Sequence, residues 1–146
     1  MGPHAEWDDM AVGTSGTSLI DWNALSAARV ELGANFVRIL GYFREDGEKS
    51  IAAIESAMRA GNAAAMVLPA HTLKGESAQF GAEVLSEHAE AIEAIARTCV
   101  ENHDDPEEAL EHVVSLRRLF LDTLTLLERE TNPLVERRAA FGRRVI

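Results

Sequence analysis

Within residues 70–82, AHTLKGESAQFGA, a histidine, a lysine and a glycine follow one another at spacings of three, one and four: His71, Lys74 and Gly75. Successive helical residues turn by about 100°, so His71, Lys74, Gly75 and Ala78 share one face of a helix. Leu73, Ser77 and Phe80 lie roughly opposite, with Met66 and Ala70, which makes that side the buried one. His71 therefore faces outward or along a groove with a neighbouring helix, where an imidazole can meet another molecule. Gly75 costs a helix about 1 kcal/mol relative to alanine, so its place calls for a reason. Lacking a side chain, it leaves room one turn beyond His71 for another backbone or for a phosphoryl group. Lys74 puts a cation beside the same space and can offset phosphate charge. Each residue alone also has a plainer reading, as a solvated histidine, a surface lysine or a packing glycine. Together they suit a histidine that accepts a phosphoryl group.

The elements that must hold this stretch are helical. From Ser18 onward apolar residues recur by threes and fours. A short first helix over residues 21–32 has Asp21 or Ser18 to cap it and Gly33 to stop it. A long second one, residues 35–60, carries Phe36, Leu40, Phe43, Gly47, Ile51, Ile54 and Met58 on one stripe and ends at Gly61. Asn62 caps a third, running to about Phe80, where Gly81 offers a left-handed exit. A fourth, residues 83–101, lines up Leu85, His88, Ile92, Ile95 and Cys99. A last helix starts with Asp105 as cap and Pro106 in its first position, and runs through Leu110, Val113, Phe120, Leu124 and Leu127 to about Glu130, before Pro133. Four amphipathic helices joined by short turns make an all-α, antiparallel up-down four-helix bundle, with the short first helix laid across one end as a lid. Residues 1–17 read as a flexible arm, 18–132 as the bundle and 133–146 as a tail of uncertain order.

Composition narrows the partners. The 146 residues carry 24 acidic and 14 basic side chains, a formal net charge of -10, which argues against nucleic acid or an anionic membrane. Cys99 is the single cysteine, so neither an internal disulfide nor a cysteine-based zinc site can form. A reducing cytoplasm fits, and neither a membrane-spanning run nor a secretory signal is present.

His71, Leu73, Lys74, Gly75, Ser77, Phe80, Gly81 and Ala82 resemble the signature of histidine phosphotransfer (HPt) domains. The likeness extends back to IDWNAL and FVRILGYFREDGEKSIAAIESAMRAGN and forward to EVLSEHAEAIE, covering roughly residues 19–100. The fold it implies is the four-helix bundle already reached from periodicity. It also implies that His71 is the phosphoacceptor, Lys74 the lysine near the phosphate and Gly75 the small residue that admits the partner. Glu93 matches a position, Glu or Gln in the family, that hydrogen-bonds the other ring nitrogen of the histidine. A carboxylate on Nδ1–H would fix the tautomer and leave Nε2 as the nucleophile.

Two departures stand out. Pro69 lies inside the third helix and should kink or loosen the turn before His71. Glu76 replaces a commoner small residue, but points about 140° away from His71. Of the other histidines, His88 reads as half-buried and hydrogen-bonded, His103 and His112 as exposed. No paired ligand motif suggests a metal site.

The expectation is therefore a phosphoryl carrier, not an autonomous enzyme, that relays the group to or from receiver-domain aspartates or a hybrid histidine kinase. The partner would supply the magnesium ion, and the carrier would need no cofactor of its own. Val67, Leu68 and Ala78 would form the apolar docking ring, and a monomer suffices for one exposed histidine. The alternatives are a helical interaction module in which His71 is incidental, or an HPt domain excised from a larger kinase.

Overall fold

The computed structural model describes residues 19–131. Five α-helices follow in order: α1 (Trp22–Leu32), α2 (Phe36–Arg59), α3 (Ala63–Gln79), α4 (Glu83–Asn102) and α5 (Leu110–Thr131), with 3₁₀ turns at Gly33–Asn35 and Glu107–Ala109. The expected arm and tail, the cap at Ser18 and the stop at Pro133 lie outside the described residues. Helices α2 to α5 form the bundle, α3 packing on both α2 and α4, and α5 closing the ring between α4 and α2.

Local chemistry sets the boundaries. Asp21 Oδ1 accepts the backbone N–H groups of Asn23 and Ala24, each at 3.1 Å, and so opens α1. Asn62 Oδ1 does the same for Ala65 N, also at 3.1 Å, at the start of α3. The α3–α4 turn passes through Gly81 at φ 72, a conformation that side chains disfavour. A Cβ on Gly81 would also lie 2.7 Å from the Asp21 carbonyl oxygen. That crowding exists because Asp21 N donates to Gly81 O at 2.7 Å, which lays α1 over this end of the bundle, as a lid.

The last helix begins later than its sequence suggests. Asp105 Oδ1 does accept the Glu107 N–H at 3.1 Å, but Pro106 and the residues after it form a 3₁₀ turn, and the α-helix starts at Leu110. Pro69 does not interrupt α3, which continues through it from Ala63 to Gln79. Its missing donor would have served the carbonyl of Ala65, an exposed residue where water can take the bond instead.

The core is a layered apolar seam. Ile51, Ile54, Met66, Leu73, Leu85, Ile92, Leu116 and Leu127 are fully buried. Phe80, at the end of α3, meets Phe36 at 5.5 Å and Phe43 at 5.2 Å between ring centroids, and Phe43 meets Phe120 at 5.7 Å. These rings tie α2, α3 and α5 together. Gly47 belongs to this packing: a Cβ there would fall 2.6 Å from Phe120 Cζ. On the rim, the guanidinium of Arg117 on α5 holds Glu55 on α2 through two bonds, 3.1 and 2.9 Å, and also bonds Glu48. The result is a rigid frame that presents one face of α3 to solvent.

Candidate functional site

His71 is the ninth of the 17 residues of α3, far from the fraying ends of the helix. Its side chain is 56% exposed, whereas that of Glu93, opposite on α4, is only 7% exposed. His71 Nδ1 lies 3.0 Å from Glu93 Oε2. An ionised carboxylate has no proton to give, so the hydrogen belongs to Nδ1 and Nε2 keeps its lone pair. Among the described residues no hydrogen bond engages that Nε2.

Two cations hold the carboxylate. Lys74 Nζ is 2.9 Å from Glu93 Oε1. Arg97, one turn along α4, donates Nε and one terminal N–H to Glu93 Oε2 at 3.0 and 2.8 Å. Burial by itself would push the Glu93 pKa up. The donors from Lys74, Arg97 and His71 outweigh it and hold the group at about 2, ionised at any ordinary pH. The hairpin turning at Gly81 thus brings together His71, Lys74 and Glu93. The sequence reading did not single out Arg97. The i,i+4 spacing of Glu93 and Arg97 was visible, but spacing alone does not tell that the carboxylate is buried beneath a histidine. It also passed over Ser86, whose hydroxyl donates to the Lys74 carbonyl at 3.0 Å and ties α4 to the turn that carries the site.

Gly75 has nothing within 4 Å of the place a Cβ would occupy. Among the described residues it therefore answers to no neighbour, in contrast with Gly47. Around His71 the outer face of α3 is made of small or apolar residues, with Ala64, Gly75 and Ala78 exposed and Leu68 70% exposed. Val67 is half-buried and packs against the core, so it contributes an edge to that face. Glu76 turns toward α2 instead, where burial, and after it the charge of and a hydrogen bond with Asp46, raise its pKa.

The other histidines among the described residues sit elsewhere. His88 is half-buried, with Nε2 3.1 Å from Ser115 Oγ, as its stripe implied. His112, expected to be exposed, is half-buried, because its ring stands edge-on to His88 with centroids 5.2 Å apart across the α4–α5 contact. His103 is exposed and takes the left-handed position after α4, φ 57. Among the described residues no group of three or more His, Cys, Asp or Glu side chains is placed to hold a metal, and no helix is long and apolar enough to cross a membrane.

No curated protein sequence matches the chain. The structure superposes on the crystal structure of histidine-containing phosphotransfer protein B (HptB) from Pseudomonas aeruginosa PAO1 with a TM-score of 0.69, at 24% identity, over 80% of this chain and 96% of that one. At that identity the likeness carries the fold. The family model of the Hpt domain matches residues 38–130, well over half of the chain and inclusive of the histidine, the lysine and the buried carboxylate. The chain belongs to the Hpt domain family, and its function is histidine phosphotransfer in a phosphorelay.

Proposed function

We propose that His71 is the residue that carries the phosphoryl group, on Nε2. The observation that supports this reading most strongly is the ring itself, with Nδ1 tied to a buried, ionised Glu93 and Nε2 left free on an exposed face. In the transfer step the Nε2 lone pair forms the N–P bond while the P–O bond to a receiver aspartate breaks, its electron pair returning to the aspartate carboxylate. The Nδ1 proton stays on the ring. The imidazole becomes more positive as the bond forms, and the Glu93 carboxylate, already in place at 3.0 Å, stabilises that charge without having to reorient. The reverse sequence returns the group to another receiver.

Lys74 supplies the protein's own cation to the phosphoryl oxygens, and Gly75 leaves the approach open one turn further on. Leu68 and Ala78, with the edge of Val67, form the apolar surface on which the partner docks. The metal ion that phosphoryl transfer needs comes with the receiver, since Glu93, the carboxylate against His71, is already engaged by Lys74 and Arg97. The receiver or hybrid kinase meets the carrier in the cytoplasm, and a single exposed histidine serves a monomer.

The test is incubation with phosphorylated receiver domains and Mg²⁺, followed by mapping of acid-labile, alkali-stable label. Wild type takes up label on the peptide containing His71, and His71→Gln takes up none. Label retained at wild-type level by His71→Gln overturns the assignment.

A further inference from the structure

Glu93 is served by more positive charge than it needs. One buried carboxylate faces two cations, Lys74 on Oε1 at 2.9 Å and Arg97 on Oε2 at 3.0 and 2.8 Å, besides the His71 Nδ1–H. Formally the pocket holds one negative and two positive charges, in a protein whose net charge is -10. The two cations are not equivalent. Arg97 grips a single oxygen with two N–H groups of a planar fork and lies beside Glu93 on the same helix, one turn away. Lys74 makes a single contact from the opposite helix, three residues from His71 and on the same face. Its flexible stem can swing; the guanidinium, anchored twice, is the group that stays.

A lysine that is to neutralise a phosphoryl group on Nε2 must leave Glu93, or at least share itself. A carboxylate that is only 7% exposed would then lose its counter-ion, and an unpaired buried charge is strongly unfavourable. We infer that Arg97 is a positioning residue for phosphotransfer: it is the standing counter-ion of Glu93, and by holding that carboxylate it releases Lys74 to the phosphoryl group. This inference rests on His71 being the phosphoacceptor. Without Arg97, one anion and one cation remain. Lys74 is then committed to Glu93, and the phosphoryl group meets a pocket with no charge to spare.

The experiment uses the full chain and potassium phosphoramidate, a small phosphoryl donor to imidazoles, so that no partner surface enters. Initial rates of acid-labile label at His71 are compared for wild type, Arg97→Gln, Arg97→Lys, Glu93→Gln and the double variant Glu93→Gln/Arg97→Gln, with circular dichroism to show that each is folded. Arg97→Gln is expected to be about tenfold slower than wild type, the loss typical of one charge-assisted interaction. Arg97→Lys restores most of the rate. In the Glu93→Gln background Arg97→Gln has no further effect, because no carboxylate charge is left to hold; a residue that merely braces α4 would slow both backgrounds alike. A wild-type rate for Arg97→Gln, or an equal loss in both backgrounds, overturns the inference and leaves His71 as acceptor. Absence of label at His71 in wild type overturns the acceptor assignment, and the inference with it.

Discussion

Glu93 Oε2 lies 3.0 Å from His71 Nδ1, so a carboxylate that is 7% exposed on α4 orients a ring that is 56% exposed on α3. The relationship joins the two requirements of a phosphoryl carrier, a fixed tautomer and an accessible nucleophile. Substitution of Glu93 separates its two contributions. Glu93→Gln keeps an acceptor for Nδ1–H but not the charge, whereas Glu93→Ala loses both. Transfer to His71 is expected to fall modestly in the first and by about 10- to 100-fold in the second, the range for loss of a hydrogen bond to a charged group. Stopped transfer reactions with a phosphorylated receiver check the order; an Ala variant as fast as the Gln variant would remove the orienting role.

The depressed pKa of the same carboxylate predicts a pH dependence. Its folded value, about 2, lies below the ordinary value of 4.5, so its contribution to stability is complete above about 4.5 and is lost as pH falls toward 2. Glu93→Gln, which leaves Lys74 and Arg97 without their partner, is less stable than wild type at neutral pH. The gap between their melting temperatures should close across that acid window. A gap independent of pH would show that the Glu93 charge does not carry it.

Gly75 separates folding from function. Among the described residues nothing fills the space beside it, so Gly75→Ala should stabilise α3 by about 1 kcal/mol and raise the melting temperature by about 4 °C. Gly75→Leu should fold as well but slow transfer from a receiver, because in the proposed docking its side chain stands in the partner's approach. Unimpaired transfer by Gly75→Leu would deny that the open space is used.

Leu68, 70% exposed on the same face, is the apolar residue with most to lose from contact with water. Leu68→Glu should leave the melting temperature nearly unchanged and weaken receiver binding by about tenfold or more, the effect of a central interface residue. Titration calorimetry with a receiver that binds the wild type measures it, and unchanged affinity would place docking elsewhere.

Glu76 gives a prediction on the other side of α3. Burial and the nearby Asp46 raise its pKa, which makes its ionised form a cost that grows as pH rises through the folded value. Glu76→Gln, whose amide can donate to Asp46, should therefore raise the melting temperature at neutral pH by about 2–4 °C. Its effect should fade in acid, and transfer to His71 should be unaffected; a loss of stability would mean that the carboxyl is satisfied by something other than Asp46.

His71, Lys74 and Gly75 were legible as a group because they are neighbours on one helical turn, where spacing alone settles which face each takes. The same holds for the elements: Asp21 and Asn62 cap where short polar side chains precede apolar periodicity, and Gly81 turns where a left-handed residue is required. Spacing could not tell that Glu93 meets His71, since a carboxylate 22 residues away reaches the ring only after α4 has folded back along α3. Family likeness proposed the pairing; the hairpin supplies the geometry. Arg97 was hidden for the same reason, and His112 was misplaced because its burial comes from a ring on another helix. Pro69 removes one helical donor, yet it does not end α3, which runs on from Ala63 to Gln79. Local chain chemistry thus determined the helices, their caps and the outward stripe of His71. The environment that gives the histidine its tautomer, its buried counter-charge and its open approach was decided by packing between helices, because those contacts join residues that sequence order keeps apart.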